Sequence, residues 1–194
     1  QILWDEIPRV REVAGATLGL VGLGSIGRPL LRNAKALGMR VIAVREHPEK
    51  GSEGGDAVFG PEEIGEIFRQ ADYVVLAAPA TDRTRAIANA ARLALMKPTA
   101  CLINVGRGPL VDEEALASAL REKKIGGAAL DVFPTEPLAA DSPLWDLPNL
   151  LITPHTAALT DKLWERHYAL FSENVRRYLG GQPLLAVVDK RRGY

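Results

Sequence analysis

The sequence predicts an α/β fold, a doubly wound parallel sheet covered by helices, and three observations carry that prediction. Short continuous apolar runs alternate with segments of helical spacing along the whole chain, the pattern of parallel strands buried on both faces. Three spaced glycines stand between the first run and the first helical segment. Polar segments follow the later runs, and in such a sheet they would collect at the carboxyl ends of the strands.

Taken in order, the first strand holds Leu18, Leu20 and Val21, inside the stretch TLGLVGLGSIGRPLLRNAKALGMRVIAVRE from Thr17 to Glu46. Gly22 turns the backbone, Gly24 leaves room where a Cβ would collide with an approaching group, and Gly27 lets helix and strand pack closely. The helix opens near Ser25 and Ile26. Pro29 costs little in a first turn, whose amides have no intrahelical partner. Leu30, Leu31, Ala34 and Leu37 repeat on the side facing the sheet, and Gly38 supplies a left-handed stop. Val41 to Val44 form the second strand. A helix from near Pro61, a strand over 71–77 and another over 100–104 follow. The next helix runs from Asp112, its N-cap, to about Lys124; Arg121, Lys123 and Lys124 suit its C-terminal dipole, and Gly126-Gly127 ends it. Two short strands, 127–132 and 150–152, precede a long helix capped by Thr160, with Leu163, His167, Leu170, Phe171 and Val175 near one face. Trp4, Trp145 and Trp164 read as packing anchors, and His167 as structural.

A strand, spaced glycines, a helix and a second strand at this length make a Rossmann-type cradle for a dinucleotide, with the pyrophosphate at the helix N-terminus. The end of the second strand is where NAD sites usually carry an acid that takes the adenosine ribose hydroxyls. Here it is Arg45. A guanidinium cannot accept from a 2′-OH, but it can pair with a 2′-phosphate or stack on adenine. The expected cofactor is therefore NADP or NAD, with NADP favoured by Arg45. Glu46 as an acceptor, with His47 and Lys50 as further donors, keeps NAD open.

At 194 residues and 47% hydrophobic content the chain can bury about 70% of its unfolded surface, and it reads as a single domain. Its 24 basic and 24 acidic residues balance and are interleaved, which argues against a nucleic-acid surface; Lys190-Arg191-Arg192 reads as a solvated tail. No apolar run approaches membrane-spanning length, so a soluble, cytoplasmic protein is expected. The single cysteine, Cys101, permits no internal disulfide, fits a reducing compartment, and reads as a buried, inert strand residue. No serine nucleophile motif or close-spaced ligand set points to hydrolysis or a metal.

Three polar segments follow three successive strands: Asn104-Val105-Gly106-Arg107-Gly108, Asp131-Val132-Phe133-Pro134-Thr135-Glu136-Pro137 and Thr153-Pro154-His155-Thr156-Ala157. Alone, an arginine or a histidine of this kind is more often a surface or loop residue. Together with the glycine loop they form a constellation, and in motif order and spacing the chain resembles the nucleotide-binding domain of the D-isomer-specific 2-hydroxyacid dehydrogenases, which include phosphoglycerate dehydrogenases and glyoxylate/hydroxypyruvate reductases. The resemblance runs from about Val13 to the terminus. It implies that Arg107 binds the substrate carboxylate and keto oxygen, that His155 exchanges a proton with the carbonyl oxygen, and that Glu136 orients the imidazole and favours its charged form. Reduction of a keto acid should then weaken at high pH and oxidation of a hydroxy acid at low pH. It also implies that Asp131 holds the nicotinamide carboxamide, that Ala78, Pro79 and Thr84 surround the adenosine and diphosphate, and that Val105, Gly106 and Arg107 line the nicotinamide side, with His155, Ala157 and Ala158 completing the cofactor site.

The resemblance implies a second, substrate-binding domain, mostly N-terminal to this region, which is expected to lie outside this sequence. The expectation is a single dinucleotide-binding domain over 1–194, with a lead-in at 1–14 and a tail at 181–194 that would return toward the missing domain. The substrate of the full enzyme would be a small 2-oxo acid, and a homodimer is expected by resemblance. The alternative is a module, or a redox-sensing scaffold, that binds NAD(P) without turnover.

Overall fold

The computed structural model describes residues 11–191, which contain seven strands and five α-helices. The strands are β1 (Thr17–Val21), β2 (Arg40–Val44), β3 (Ala57–Phe59), β4 (Tyr73–Leu76), β5 (Cys101–Asn104), β6 (Gly127–Leu130) and β7 (Leu150–Ile152). They form one sheet in the order β3-β2-β1-β4-β5-β6-β7, and every pairing is parallel. The order reverses between β1 and β4. A doubly wound sheet opens a crevice at that point, outside the carboxyl ends of its strands.

Alternation along the strands feeds two apolar cores. Val21, Ile42, Val44, Val74, Leu76 and Leu102 face α2 (Gly65–Gln70), α3 (Ala90–Leu93) and α4 (Glu113–Arg121), among Ile67, Phe68, Leu93, Leu116 and Leu120. Leu18, Leu20, Val41, Ala43 and Val75 face α1 (Gly27–Ala36), against Leu31 and Ala34. Leu37 is 62% exposed, because it is the C-cap of α1 and has turned away from the sheet.

The helix ends show where local chemistry decides. Gly38, at φ +78°, closes α1 as predicted: its N–H bonds to Lys35 O and that of Met39 to Ala34 O. Asp112 caps α4 as predicted, accepting from Ala115 N at 3.0 Å. That helix ends earlier than Gly126, because Lys123 takes the left-handed position at φ +53°. Lys123 N bonds to Leu120 O and Lys124 N to Ala119 O, the two bonds that Gly38 and Met39 make in α1. The fifth helix, α5 (Leu163–Leu179), has Lys162 at its N-cap position. Thr160, two residues before it, accepts from Lys162 N and does not cap the helix.

Coverage of the sheet is uneven. None of the residues of α5 is buried, and Trp164, Tyr168 and Phe171 are 78%, 74% and 68% exposed. The predicted apolar face of this helix is therefore left largely open among the described residues, with Leu163 partly covered. Trp145 is half exposed, with its indole N–H on Ala139 O; Trp164 meets His167 edge to face in the open, and Trp4 lies outside the described residues. Cys101 is only half-buried, since it points, with Ile103, to the face that α1 covers over β1 and β2 but not over β5 to β7. Leu151 on that bare side is 63% exposed.

Candidate active site

The glycine loop after β1 is built by two close approaches. Gly22 sits at φ +104°, and a Cβ there would lie 2.8 Å from Ala77 O. At Gly27 a Cβ would come within 2.2 Å of Gly22 O, so no other residue lets α1 start this near the end of β1. Between them Gly24, Ser25 and Ile26 are exposed, and nothing lies within 4 Å of where a Gly24 Cβ would be. Arg28 N–H turns back to Gly24 O and Pro29 has no N–H, so it is the exposed backbone of Gly24, Ser25 and Ile26, at the positive dipole end of a ten-residue helix, that forms a cradle fitting a diphosphate.

Contacts run from this loop along the carboxyl edge. Gly22 abuts Ala77 and Ala78, and a Cβ on Gly106 would lie 2.9 Å from Ala78 O. Pro79 and Thr84 are joined, the threonine hydroxyl donating to Pro79 O at 2.6 Å. Val105 and Gly106 follow β5, where the fully buried Asn104 pins the turn: its Nδ2 donates to Arg107 O and its Oδ1 accepts from Gly106 N. The Arg107 side chain is left exposed, with one donor on Gly106 O. Gly108 lies against the Phe133-Pro134 backbone, which joins the Arg107 turn to the segment after β6.

That segment and the next bring Glu136 and His155 together. Glu136 accepts from Phe133 N through Oε1 at 2.9 Å and from His155 Nδ1 through Oε2 at 2.8 Å. The His155 hydrogen bond first, and the Phe133 amide second, hold the Glu136 carboxyl below the usual range. With Nδ1 bonded to a carboxylate, His155 has Nε2 left for exchange, and its side chain is half exposed. Its backbone is left-handed at φ +55°, fixed by N–H bonds to Asp131 O and Thr153 O.

Asp131 is the anchor of this turn. It is 5% exposed and takes three donors: Thr153 Oγ1 at 2.6 Å and Thr156 N at 2.8 Å on Oδ1, and Ala157 N at 2.9 Å on Oδ2. Burial pushes its carboxyl up, but these bonds, with His155 nearby, outweigh it and hold the group ionised below its ordinary range. Ala157 and Ala158 are exposed beside it. At the other end of the crevice Arg45 is nearly covered, its side chain 10% exposed, while Glu46 reaches across to Arg83 at 2.6 Å and His47 pairs with Glu49. The sequence reading passed over Asn104 and Thr153 as site-builders; a polar residue closing an apolar strand was the available signal.

The model of the D-isomer specific 2-hydroxyacid dehydrogenase NAD binding domain matches residues 3–157. The chain belongs to that family. An (S)-sulfolactate dehydrogenase from Chromohalobacter salexigens is 43% identical over 184 residues, covering 93% of this chain and 60% of the relative. A glyoxylate reductase from Thermococcus onnurineus is 41% identical over 181 residues, 92% of this chain and 53% of the relative. A D-isomer specific 2-hydroxyacid dehydrogenase from Xanthobacter autotrophicus, solved in complex with NADPH and MES, superposes with a TM-score of 0.88 at 38% identity, over 97% of this chain and 76% of that one. The chain thus spans about 60% of the length of the first of these relatives. The Rossmann-type fold read from the sequence is the fold of this NAD-binding domain, and the family acts on small 2-oxo and 2-hydroxy acids. Among the described residues no helix is long and apolar enough to cross a membrane.

Proposed function

We propose that this chain is the nucleotide-binding part of an NAD(P)-dependent D-2-hydroxyacid dehydrogenase, and that Arg107, Glu136 and His155 are its catalytic set. The observation that carries the reading is the 2.8 Å pair of His155 and Glu136 on the same sheet edge as the exposed glycine loop. When bound, the nicotinamide supplies or accepts the hydride. The chain's residues do the rest. Arg107 holds the substrate carboxylate and keto oxygen, a task suited to a planar fork of donors. His155 Nε2 gives its proton to the carbonyl oxygen during reduction and takes it back during oxidation, while Glu136 keeps Nδ1–H in place through both states. Gly22, Gly24, Ser25, Ile26 and Gly27 receive the diphosphate; Ala78, Pro79 and Thr84 flank the adenosine side, and Arg45 faces the ribose. Val105, Asp131, Ala157 and Ala158 line the nicotinamide side.

A specific observation favours binding without turnover by this chain alone. His155 is half exposed and Arg107 open to water, so among the described residues nothing excludes solvent from a substrate held between them. Self-association through the exposed apolar residues of α5 belongs to the same proposal. The deciding experiment is calorimetric titration of the chain with NADH and NADPH. Saturable binding of either supports the reading, and no binding of both overturns it.

A further inference from the structure

The β2 to β3 connection carries a glutamate that the nucleotide reading leaves unused. Glu53 divides its carboxylate between two arginines: Oε2 lies 2.7 Å from Arg28 Nε, and Oε1 accepts from Arg45 Nη1 at 2.9 Å. Arg28 comes from the first turn of α1, directly after the phosphate loop, and Arg45 from the end of β2. The two cations therefore converge on one point at the ribose end of the crevice. Arg45 Nη1 also donates to Gly51 O at 3.1 Å.

The carboxylate is held there by the chain. Glu53 has a left-handed backbone, φ +52°, between Gly51 at φ +82° and Gly54 at φ +98°. The loop is then tied down by Asp56, which accepts from Val41 N at 2.7 Å and from Lys35 Nζ at 2.8 Å. A residue with this backbone outside glycine is uncommon, and here it points a negative charge at the arginine that would receive a 2′-phosphate.

We propose that Glu53 is a specificity-determining residue, whose carboxylate occupies the anion position between Arg28 and Arg45 and so handicaps NADP relative to NAD. The inference rests on the nucleotide-binding reading above. A 2′-phosphate reaching Arg45 must displace the carboxylate or lie beside it, and either way meets a like charge. The ribose hydroxyls of NAD bring no charge, and they can donate to a carboxylate, which is acceptor-only. The arginine at the end of β2 is thus neutralised from within the chain.

The test is calorimetric titration of the wild-type chain and of Glu53→Gln with NADH and with NADPH at one fixed ionic strength. Removing the charge should tighten NADPH about tenfold while NADH changes by less than about threefold. Glu53→Asn, a residue type that tolerates the left-handed backbone, should shift the preference in the same direction. An unchanged ratio of the two affinities in either variant, or a shift toward NADH, overturns the role of Glu53 and leaves the nucleotide reading standing. Failure of the wild-type chain to bind either dinucleotide overturns that reading, and this inference with it.

Discussion

Replacing Asp131 by asparagine would test the turn that carries His155. The carboxylate takes Thr153 Oγ1 and Thr156 N on one oxygen and Ala157 N on the other. Asparagine keeps one oxygen for the first two and sets an NH2 against the third, so donor faces donor. Losing one charge-assisted bond costs about 2 kcal/mol, and the two that remain lose their charge assistance, for a total of about 2.5 kcal/mol. With a urea dependence of about 2 kcal/mol per molar for a domain this size, the midpoint of the main transition followed by circular dichroism should fall by about 1.2 M at pH 7. The difference should shrink in acid. The folded-state pKa of Asp131 is depressed, so its contribution is complete above the unfolded value, near pH 4, and is lost as pH falls through the lower folded value. A midpoint within about 0.3 M of wild type at pH 7 would refute the anchoring role.

Three further outcomes are expected. Gly27→Ala places a Cβ 2.2 Å from Gly22 O, and although alanine favours the helix by about 1 kcal/mol, the clash should leave a net loss of about 2 kcal/mol in urea unfolding; an unchanged midpoint would contradict the close approach. Arg45→Asp should lower the affinity for NADPH relative to that for NADH in the same titrations, whichever the wild-type chain prefers, and an unchanged ratio of the two affinities would remove Arg45 from cofactor choice. In a protein carrying both domains, His155→Ala should abolish turnover while dinucleotide affinity stays within about threefold, since the side chain acts on substrate; a fully active variant would take the histidine out of the mechanism.

The sheet was legible because its strands are short, apolar and spaced by helices, and the phosphate loop because Gly22 and Gly27 answer steric demands that no other residue meets. Strand β3 escaped notice: Ala57, Val58 and Phe59 are three half-buried residues at the sheet edge, too few to show a pattern. The end of α4 was misplaced because a lysine, a residue type without the conformational freedom of glycine, took the left-handed turn. Trp164, read as a packing anchor, is exposed for a different reason. Apolar periodicity reports that a helix has a face to bury, and it is silent on where the covering surface lies. Glu53 had no signal at all, since the meeting of Arg28 and Arg45 is a product of the loop's return path.

The exposure of α5 also sets a hierarchy of motion within the domain. A 17-residue helix with no buried side chain is held by its own backbone bonds and by pairs such as Glu173 with Arg176 and Arg177, a balance that is marginal for an isolated helix in water. Its amides should exchange with deuterium through local fraying. Those of β1 and β4, at the centre of the sheet, should exchange only when the whole domain opens. The turn bearing His155 lies between these two regimes, anchored on one side by Asp131 and followed on the other by the stretch that leads into α5.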